Sequence, residues 1–536
     1  MSELQGLEEV HRVVGPPGCG KTTWTARQAQ RAVEKYGSDR VLLLSLTRAG
    51  AREVGSRDTG VEDHMCGTMH SHCFHFLKQP QMLDRKGVLR WNDEKPHWVI
   101  SPDAIGTSTD RLGTPSIGSE VFVTVDLLRN KQAPIEDWSG IFREFYEEFT
   151  EWKEENNLFD FTDLLEKTYS MRAFPPHSPS VIFADEVQDF STLEMALLMW
   201  WGKSVDHLVM VGDLFQSIFS FRGASKLSLD GSVAAVLDQS YRIPRTVHQV
   251  AENIMSLMED LEPVSFKPRD HEGEVIRTSS GYRDFEAFIP RIEEETEAGR
   301  SVMVVASCAY MLGGALKKLR ARGVPFWNPY TKKGPWNPLT PTAERGQVPM
   351  MTRLRTFLRA FDDDRRASIR WNPHEVAIWL PLFSGIVKRG GAKMVRSWDK
   401  YTKDEELIDN LFRIFKDDVV DELYEGHGPW SFLLKYAKDG LIPRLEYVKT
   451  CIDARGVGVL DENPRLIMGT IHSVKGGEAD TVIVFPDLSS EGYENYTKAG
   501  WDGREATLRL FYVGVTRARD RLILAGPSGG NYVSGF

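Results

Sequence analysis

An α/β fold is predicted for this 536-residue chain: two parallel-sheet domains, each interrupted by an inserted, largely helical subdomain. Three observations predict it. Short runs apolar at every position recur along the chain, they fall into an early and a late set, and a stretch of helical, aromatic character interrupts each set. Strands covered on both faces are apolar at successive positions, as in parallel sheets, and two such sheets are a more natural reading than one very large one.

The early runs are HRVV at 11–14, VLLL at 41–44, VIFA at 181–184 and LVMV at 208–211; the late ones are VMVV at 302–305, TVIVF at 481–485 and RLIL at 521–524. Several end in small or acidic residues before a helix-like segment. Residues 78–157 join a loop-like stretch, SPDAIGTSTDRLGTPSIGSE, to the acidic, aromatic helical pattern EFYEEFTEWKEE; residues 366–454 read as mainly helical. The expected organisation is therefore 1–77 plus 158–240 as the first domain with 78–157 inserted, and 241–365 plus 455–536 as the second with 366–454 inserted.

With 41% hydrophobic and 26% charged residues the chain is of ordinary globular composition. It is long enough for several packed domains. It has no apolar run of the length a membrane span needs and no basic-then-apolar leader, so no membrane partner and a cytoplasmic location are expected. Five scattered cysteines argue against a disulfide framework. The net charge of −10 excludes a protein that coats nucleic acid by bulk attraction, but not a local groove.

GPPGCGKTT supplies the first chemistry. Gly15, Gly20, Lys21 and Thr22 satisfy G-x-x-x-x-G-K-[ST], with Gly18 and Thr23 in the same loop, after a strand-like run and before a helix-like one. Glycines let backbone N–H groups close on phosphate oxygens, the helix offers its positive end, Lys21 reaches the outer phosphates and Thr22 can ligate Mg²⁺. VIFADEVQD supplies the second half, Asp185, Glu186, Gln188 and Asp189 directly after four apolar residues, with Asp185 for the Mg²⁺ shell and Glu186 to accept a proton from the attacking water. An acidic strand end is also an ordinary helix start; beside the Gly-rich loop, nucleotide hydrolysis is the better reading.

Further blocks narrow the class. VGDLFQSIFSFRGA at 211–224, LDQSYRIP at 237–244, TIHSVKGGEAD at 470–480 and RLFYVGVTRARDRL at 509–522 resemble, in order and spacing, the motifs of the UvrD/Rep/PcrA helicases of superfamily one. So do LTRAGAREV at 46–54, GTMHSHCFHFL at 67–77 and DFTDLL at 160–165. The resemblance covers nearly the whole chain except the two insertions. It implies two RecA-like motor domains of the P-loop NTPase type that hydrolyse ATP with Mg²⁺ while stepping 3′ to 5′ on single-stranded DNA, with fork or tailed duplex DNA as substrates.

Residue by residue, the resemblance implies that Gln216 senses the outer phosphate, that Arg242 and Arg517 reach it as arginine fingers from the second domain, that Tyr241 stacks on adenine and that Glu478 holds the ribose hydroxyl. Thr47, Thr68, His70 and His472 would contact the strand, and Phe219, Phe221 and Arg222 would supply stacking and a cation, a sequence-tolerant way to bind single strands. An aromatic pair spaced like Phe219 and Phe221 is also one face of a core strand. NPYTKKGPWNPLTPTAERGQVP, residues 328–349, reads as a long loop whose Trp336 is solvated rather than bound to DNA. His64, Cys66, His70, His72, Cys73 and His75 are of zinc-ligand type; with no C-x-x-C pair, and with His70 in the GTxH-like block, the metal reading is set aside.

The sequence departs from the family pattern in places. Gln5 is too close to Gly15 to match the family's adenine-reading glutamine, Arg48 and Ala49 stand where Asn and Lys are usual, and the acidic block reads DEVQD. Short insertions and an end soon after LILAGP suggest a compact member, of the kind a phage encodes, in which strand separation calls for a protein partner or self-association. Two rival readings remain at this point: a translocase that strips proteins from DNA with little unwinding, and a nucleotide-switched binding protein.

Overall fold

The computed structural model describes residues 10–46, 50, 59–102, 104, 116–218, 233–258, 265–331, 336–339, 348–361, 371–391, 393, 395, 411–425, 428–460 and 463–535. These divide into two compact units, Met1–Arg277 with Pro486–Leu524 and Gly529–Phe536, and Thr278–Phe485 with Ala525–Ser528.

The first unit is built on a six-stranded sheet of order β3-β2-β4-β5-β1-β6. Its strands are β1 (Val10–Val14), β2 (Val41–Ser45), β3 (Cys66–Gly67), β4 (Val181–Asp185), β5 (His207–Gly212) and β6 (Val233–Val236). Every described pairing is parallel. VLLLS and VIFAD are buried along their whole length, because helices cover both faces. On one side Leu42, Leu44, Ile182, Ala184 and Met210 pack with Leu197 and Trp201; on the other Leu43, Phe183, Val209 and Val211 pack with Ala26 and Ala29. The sequence alternates its core residues between two sides, and the expectation of a doubly covered sheet holds. Three strand ends meet as a result: Asp185 lies in register with Val211, and Val14 with Gly212.

A helical subdomain with its own core joins this unit. Helices Arg85–Glu94, Ile117–Asn130 and Gly140–Glu155 enclose Trp91, Trp98, Phe122, Phe145, Phe149 and Trp152. EFYEEFTEWKEE is helical as expected, with its Phe and Trp at 145, 149 and 152 on the inner face. The preceding loop is shorter than expected: Ser116 caps a helix by accepting from the Ser119 amide at 3.3 Å, so IGSE at 117–120 is helical. Arg129 and Lys153 are buried among Asp160, Asp163 and Glu166. Two further parallel strands of the unit, β7 (Glu274–Arg277) and β12 (Ala518–Leu524), pair with each other.

In the second unit, β8 (Val302–Ala306), β9 (Phe326–Trp327), β10 (Leu466–Thr470) and β11 (Ala479–Val484) lie in the order β11-β8-β10-β9, again parallel. Its helical part buries Phe357, Trp371, Trp379, Phe383, Phe415 and Phe432 in one aromatic cluster. Trp336 corrects the sequence reading: it is wholly buried, neither solvated nor offered to a ligand. The Asn337 side chain accepts from the Asn328 amide at 2.8 Å, and Arg444 donates to the Asn337 and Pro338 carbonyls. Burial of the indole outweighs the local Pro and Gly content from which a solvated loop was read.

Candidate active site

Residues 15–20 turn over the end of β1. The Gly15 amide donates to the Gly212 carbonyl at 3.1 Å, tying the loop to the neighbouring strand end. Gly18 and Gly20 take φ of +73° and +80°, the left-handed region where a side chain is penalised. At Gly18 space is also lacking, since a Cβ there would stand 2.3 Å from Cβ of Arg242. Gly20 leads into the helix Lys21–Tyr36 with no side-chain cap, so that helix end presents its amides and positive dipole to the loop.

Lys21 is buried, with Nζ donating to the carbonyls of Gly15 at 2.7 Å and Pro16 at 3.3 Å. Burial works against its charge, but Cys19, Asp213, Glu186 and Asp185 outweigh it and its pKa is raised. Asp185 at the end of β4, with the Thr22 hydroxyl in the first helical turn, offers oxygen ligands of the kind a hard divalent cation takes.

A chain of hydrogen bonds crosses the strand ends. Asp185, the last residue of β4, is buried and accepts from the Glu186 amide at 3.0 Å. Glu186 stands at φ +57°, an uncommon conformation for a residue with a Cβ. Its carboxylate accepts from Gln188 Nε2, and Gln188 Oε1 accepts from the Asp213 amide at 3.0 Å. Asp213 Oδ1 accepts from the Phe215 amide at 3.0 Å and Oδ2 from Gln216 Nε2 at 2.7 Å. Gln216 Oε1 then accepts from Arg517 Nη2 at 2.8 Å. Arg517 is 1% exposed, and burial, then the nearby Arg242, pushes its pKa down to about 9. A buried cation beside a second cation is a place that favours an incoming anion.

The Ser240–Ile243 segment lies against the loop. Ser240 Oγ donates to the Pro17 carbonyl at 2.8 Å and accepts from the Arg242 and Ile243 amides; the Tyr241 amide donates to the Gly18 carbonyl at 2.8 Å. Tyr241 itself is 70% exposed beside the loop, a free ring face of the kind that stacks on a base.

Lys21, Asp185, Glu186, Gln216, Arg242, Arg517 and Tyr241 thus share one compact unit with the loop glycines. Thr22 and Thr23 are half-buried in the first helical turn. Thr68 caps the helix Met69–Phe76 by accepting from the Ser71 amide at 3.2 Å, and His70 Nδ1 lies 3.5 Å from Glu194. His472 and Glu478 belong to the second unit, the former opening a single turn after β10 and the latter exposed just before β11. Thr47, Phe219, Phe221 and Arg222, with Gln5, Arg48 and Ala49, lie outside the described residues. Among those described, no group of three or more His, Cys, Asp or Glu is arranged to hold a metal, and no helix is long and apolar enough to cross a membrane.

Gln188, Asp213 and Ser240 are connecting residues: the sequence reading names Gln188 in the acidic block without a role and does not single out Asp213 or Ser240. Their signal was present: each sits inside a quoted block, DEVQD, VGDLFQ or LDQSYR, within three residues of a residue that was chosen.

Comparison with known proteins agrees with this arrangement. Residues 3–230 match the model of the UvrD/REP helicase N-terminal domain, and residues 466–525 that of the UvrD-like helicase C-terminal domain. The chain is 23% identical over 320 residues to the putative ATP-dependent DNA helicase YjcD of Bacillus subtilis, an alignment covering 51% of this chain and 41% of that protein. It is 25% identical over 319 residues to the ATP-dependent DNA helicase PcrA of Staphylococcus aureus, covering 53% and 42%, and 22% identical over 294 residues to a probable DNA helicase II homolog of Mycoplasma capricolum, covering 48% and 40%. It therefore spans about two fifths of the length of these relatives. With both family models matched in order, and with the loop, the acidic strand end and the Gln216–Arg517 pair gathered in one place, the chain belongs to the UvrD/Rep/PcrA-like helicases.

Proposed function

We propose that this chain is an ATP-dependent DNA helicase that moves 3′ to 5′ along single-stranded DNA and acts on fork or tailed duplex substrates. The observation that carries the reading is the hydrogen-bonded chain from Glu186 through Gln188, Asp213 and Gln216 to Arg517, beside the Lys21 loop. A nucleotide switch has no need of a base, a water-positioning amide and a finger linked in one network; a hydrolase does.

In this reading the loop amides and Lys21 hold the phosphates, while Thr22 and Asp185 would hold Mg²⁺, which supplies charge neutralisation when bound. Glu186 accepts the proton of the attacking water. Gln216 positions that water, and Arg242 and Arg517 stabilise charge spreading over the transferring phosphoryl group, a contribution of roughly 10³-fold or more in related chemistry. Tyr241 stacks on the base and Glu478 takes the ribose hydroxyl. Thr47, Thr68, His70 and His472 would track the strand, with Phe219, Phe221 and Arg222 as stacking and cationic contacts. The motor domains follow the bounds 1–77 plus 158–240 and 241–365 plus 455–536, with 78–157 and 366–454 as insertions. Strand separation would draw on a protein partner or a second copy.

The test is steady-state ATP hydrolysis with and without single-stranded DNA, for the wild type and Glu186→Gln, followed by unwinding of duplexes tailed at either end. Stimulation by DNA that is lost in the variant, with unwinding from a 3′ tail, is expected. Slow turnover indifferent to DNA and to the substitution would turn the reading toward a nucleotide-switched binding protein. Efficient stripping of a bound protein without unwinding would turn it toward a translocase.

A further inference from the structure

At the opposite end of the first sheet from the Lys21 loop, two helices, Phe161–Ser170 and Thr192–Gly202, finish side by side before β4 and β5 begin. The Asp206 amide donates to the Ser180 carbonyl at 2.9 Å, which fixes the two turns together at the starts of those strands. Between them is a cleft of about 490 Å³ lined by Tyr169, Arg172, Ala196, Met199, Trp200 and Lys203.

Arg172 lies over the rings of both Tyr169 and Trp200, its guanidinium carbon 4.6 and 5.0 Å from their centroids, and Lys203 Nζ is 5.3 Å from that of Trp200. Neither cation is ion-paired among the described residues, in a chain whose net charge is −10. Beside them, Met171 is 63% and Phe174 71% exposed. Cations at helix C-termini are ordinary; that does not account for their lying over aromatic rings next to two solvated apolar side chains. Arg172 also holds φ of +50° at the helix stop, a position where Gly or Asn is usual and another residue costs about 1 kcal/mol.

We propose that this cleft is a docking site for an acidic peptide segment of a partner protein that carries a bulky apolar side chain. Carboxylates pair with Arg172 and Lys203, and the apolar side chain enters the cleft against Met199 and Trp200 with Met171 and Phe174 as its rim. Arginine and aromatic side chains around a pocket are the usual anchors of such contacts. Charge complementarity selects an acidic partner. A peptide is favoured over a nucleic acid because cations already cover the ring faces on which bases would stack. The site shares no residue with the nucleotide machinery.

The experiment is fluorescence anisotropy of the full chain with a labelled tetraglutamyl-phenylalanine peptide, the same peptide ending in Ala, and a short oligothymidylate. Arg172→Gly keeps the helix stop and relieves its backbone, so its thermal midpoint serves as a fold control; Lys203→Glu reverses the second charge. Binding of the Phe peptide that weakens about tenfold or more in each variant, and with Ala in place of Phe, while ATP hydrolysis is unchanged, is expected. No binding at millimolar peptide, or equal binding by the variants, overturns the proposal. So does loss of oligothymidylate binding in the variants without loss of peptide binding, which would make the surface a nucleic-acid contact.

Discussion

Arg517 donates from Nη2 to Oε1 of Gln216 at 2.8 Å although the two stand 301 positions apart. The same guanidinium donates from Nε to the Val513 carbonyl at 2.9 Å and reaches Thr516 Oγ1 at 3.3 Å. A planar fork serves all three acceptors at once, which the single point charge of an ammonium does not. Arg517→Lys is therefore expected to lower kcat for ATP hydrolysis by about 10²-fold or more, with a much smaller change in KM. Adding Gln216→Ala should then cost less than it does alone, since residues acting as a unit are not additive. Steady-state kinetics on the two single variants and the double variant check this; fully additive losses would mean that the pair does not act together.

Asp213 fixes the rotamer and amide orientation of Gln216. Its two oxygens accept from the Phe215 amide and from Gln216 Nε2, which turns Gln216 Oε1 toward Arg517. Burial raises the Asp213 pKa, against the pull of Lys21 and the Gln216 hydrogen bond. In Asp213→Asn one of these acceptors becomes an N–H donor, so either the Phe215 amide or the Gln216 amide faces a donor. The expected result is a fall in kcat of roughly tenfold to a hundredfold, with nucleotide affinity largely kept because the Lys21 loop is untouched. Equal loss in kcat and in nucleotide binding would show instead that Asp213 supports the loop.

How much of this was legible in the sequence follows from where the information lies. β1, β2, β4, β5, β8, β11 and β12 announce themselves as apolar runs because both of their faces are covered. β3, with two residues, and β7, with an exposed, half-buried pattern, carry no such run. Lys21, Asp185 and Glu186 were readable from spacing, since phosphate chemistry demands those types next to a turn. Gln188 was visible in the acidic block and Asp213 inside VGDLFQ, but their connecting role was not, because it joins residues that only the parallel order of β4, β5 and β1 brings together. Trp336 shows the converse: local Pro and Gly content pointed to a solvated segment and gave no sign that the core would take this side chain.

His72 gives the fold a pH dependence with a definite sign. The imidazole is 3% exposed, its Nε2 has no hydrogen-bond partner among the described residues, and burial, followed by His177, His75 and His64, lowers its pKa to about 4. The folded state thus holds it neutral while the unfolded chain takes a proton below the ordinary histidine value. Stability is lost as pH falls from that value toward 4, by about 2 kcal/mol between pH 7 and pH 5 for this one group. His11, His177 and His207 shift in the same direction, so the total loss is larger. Chemical denaturation at the two pH values should show a smaller loss for His72→Gln than for the wild type, and an unchanged loss would place the acid sensitivity elsewhere.

Lys153 tests what ties the helical subdomain to the helix that follows it. Its ammonium is 2% exposed and bridges Asp160 Oδ2 and Asp163 Oδ2 at 2.5 and 2.6 Å, while Arg129 spans Asp160, Asp163 and Glu166. Asp160 and Asp163 also form the capping box of the helix Phe161–Ser170. Burial raises the Asp160 pKa, yet Arg129 and Lys153 outweigh it and hold the carboxyl far below its usual range. Lys153→Met keeps an apolar side chain of similar length but removes the ammonium that lies 4.9 Å from the Phe149 ring centroid and leaves three carboxylates facing one guanidinium. Removing one partner of a buried charge cluster costs about 3–5 kcal/mol, so the denaturation midpoint should fall sharply. Asp163→Asn added to Lys153→Met lowers the uncompensated negative charge and keeps most of the hydrogen-bonding shape, and it should restore part of the loss. No loss in the single variant would mean that water already screens this cluster and that the aromatic core of Trp91, Phe145 and Phe149 alone holds the subdomain in place.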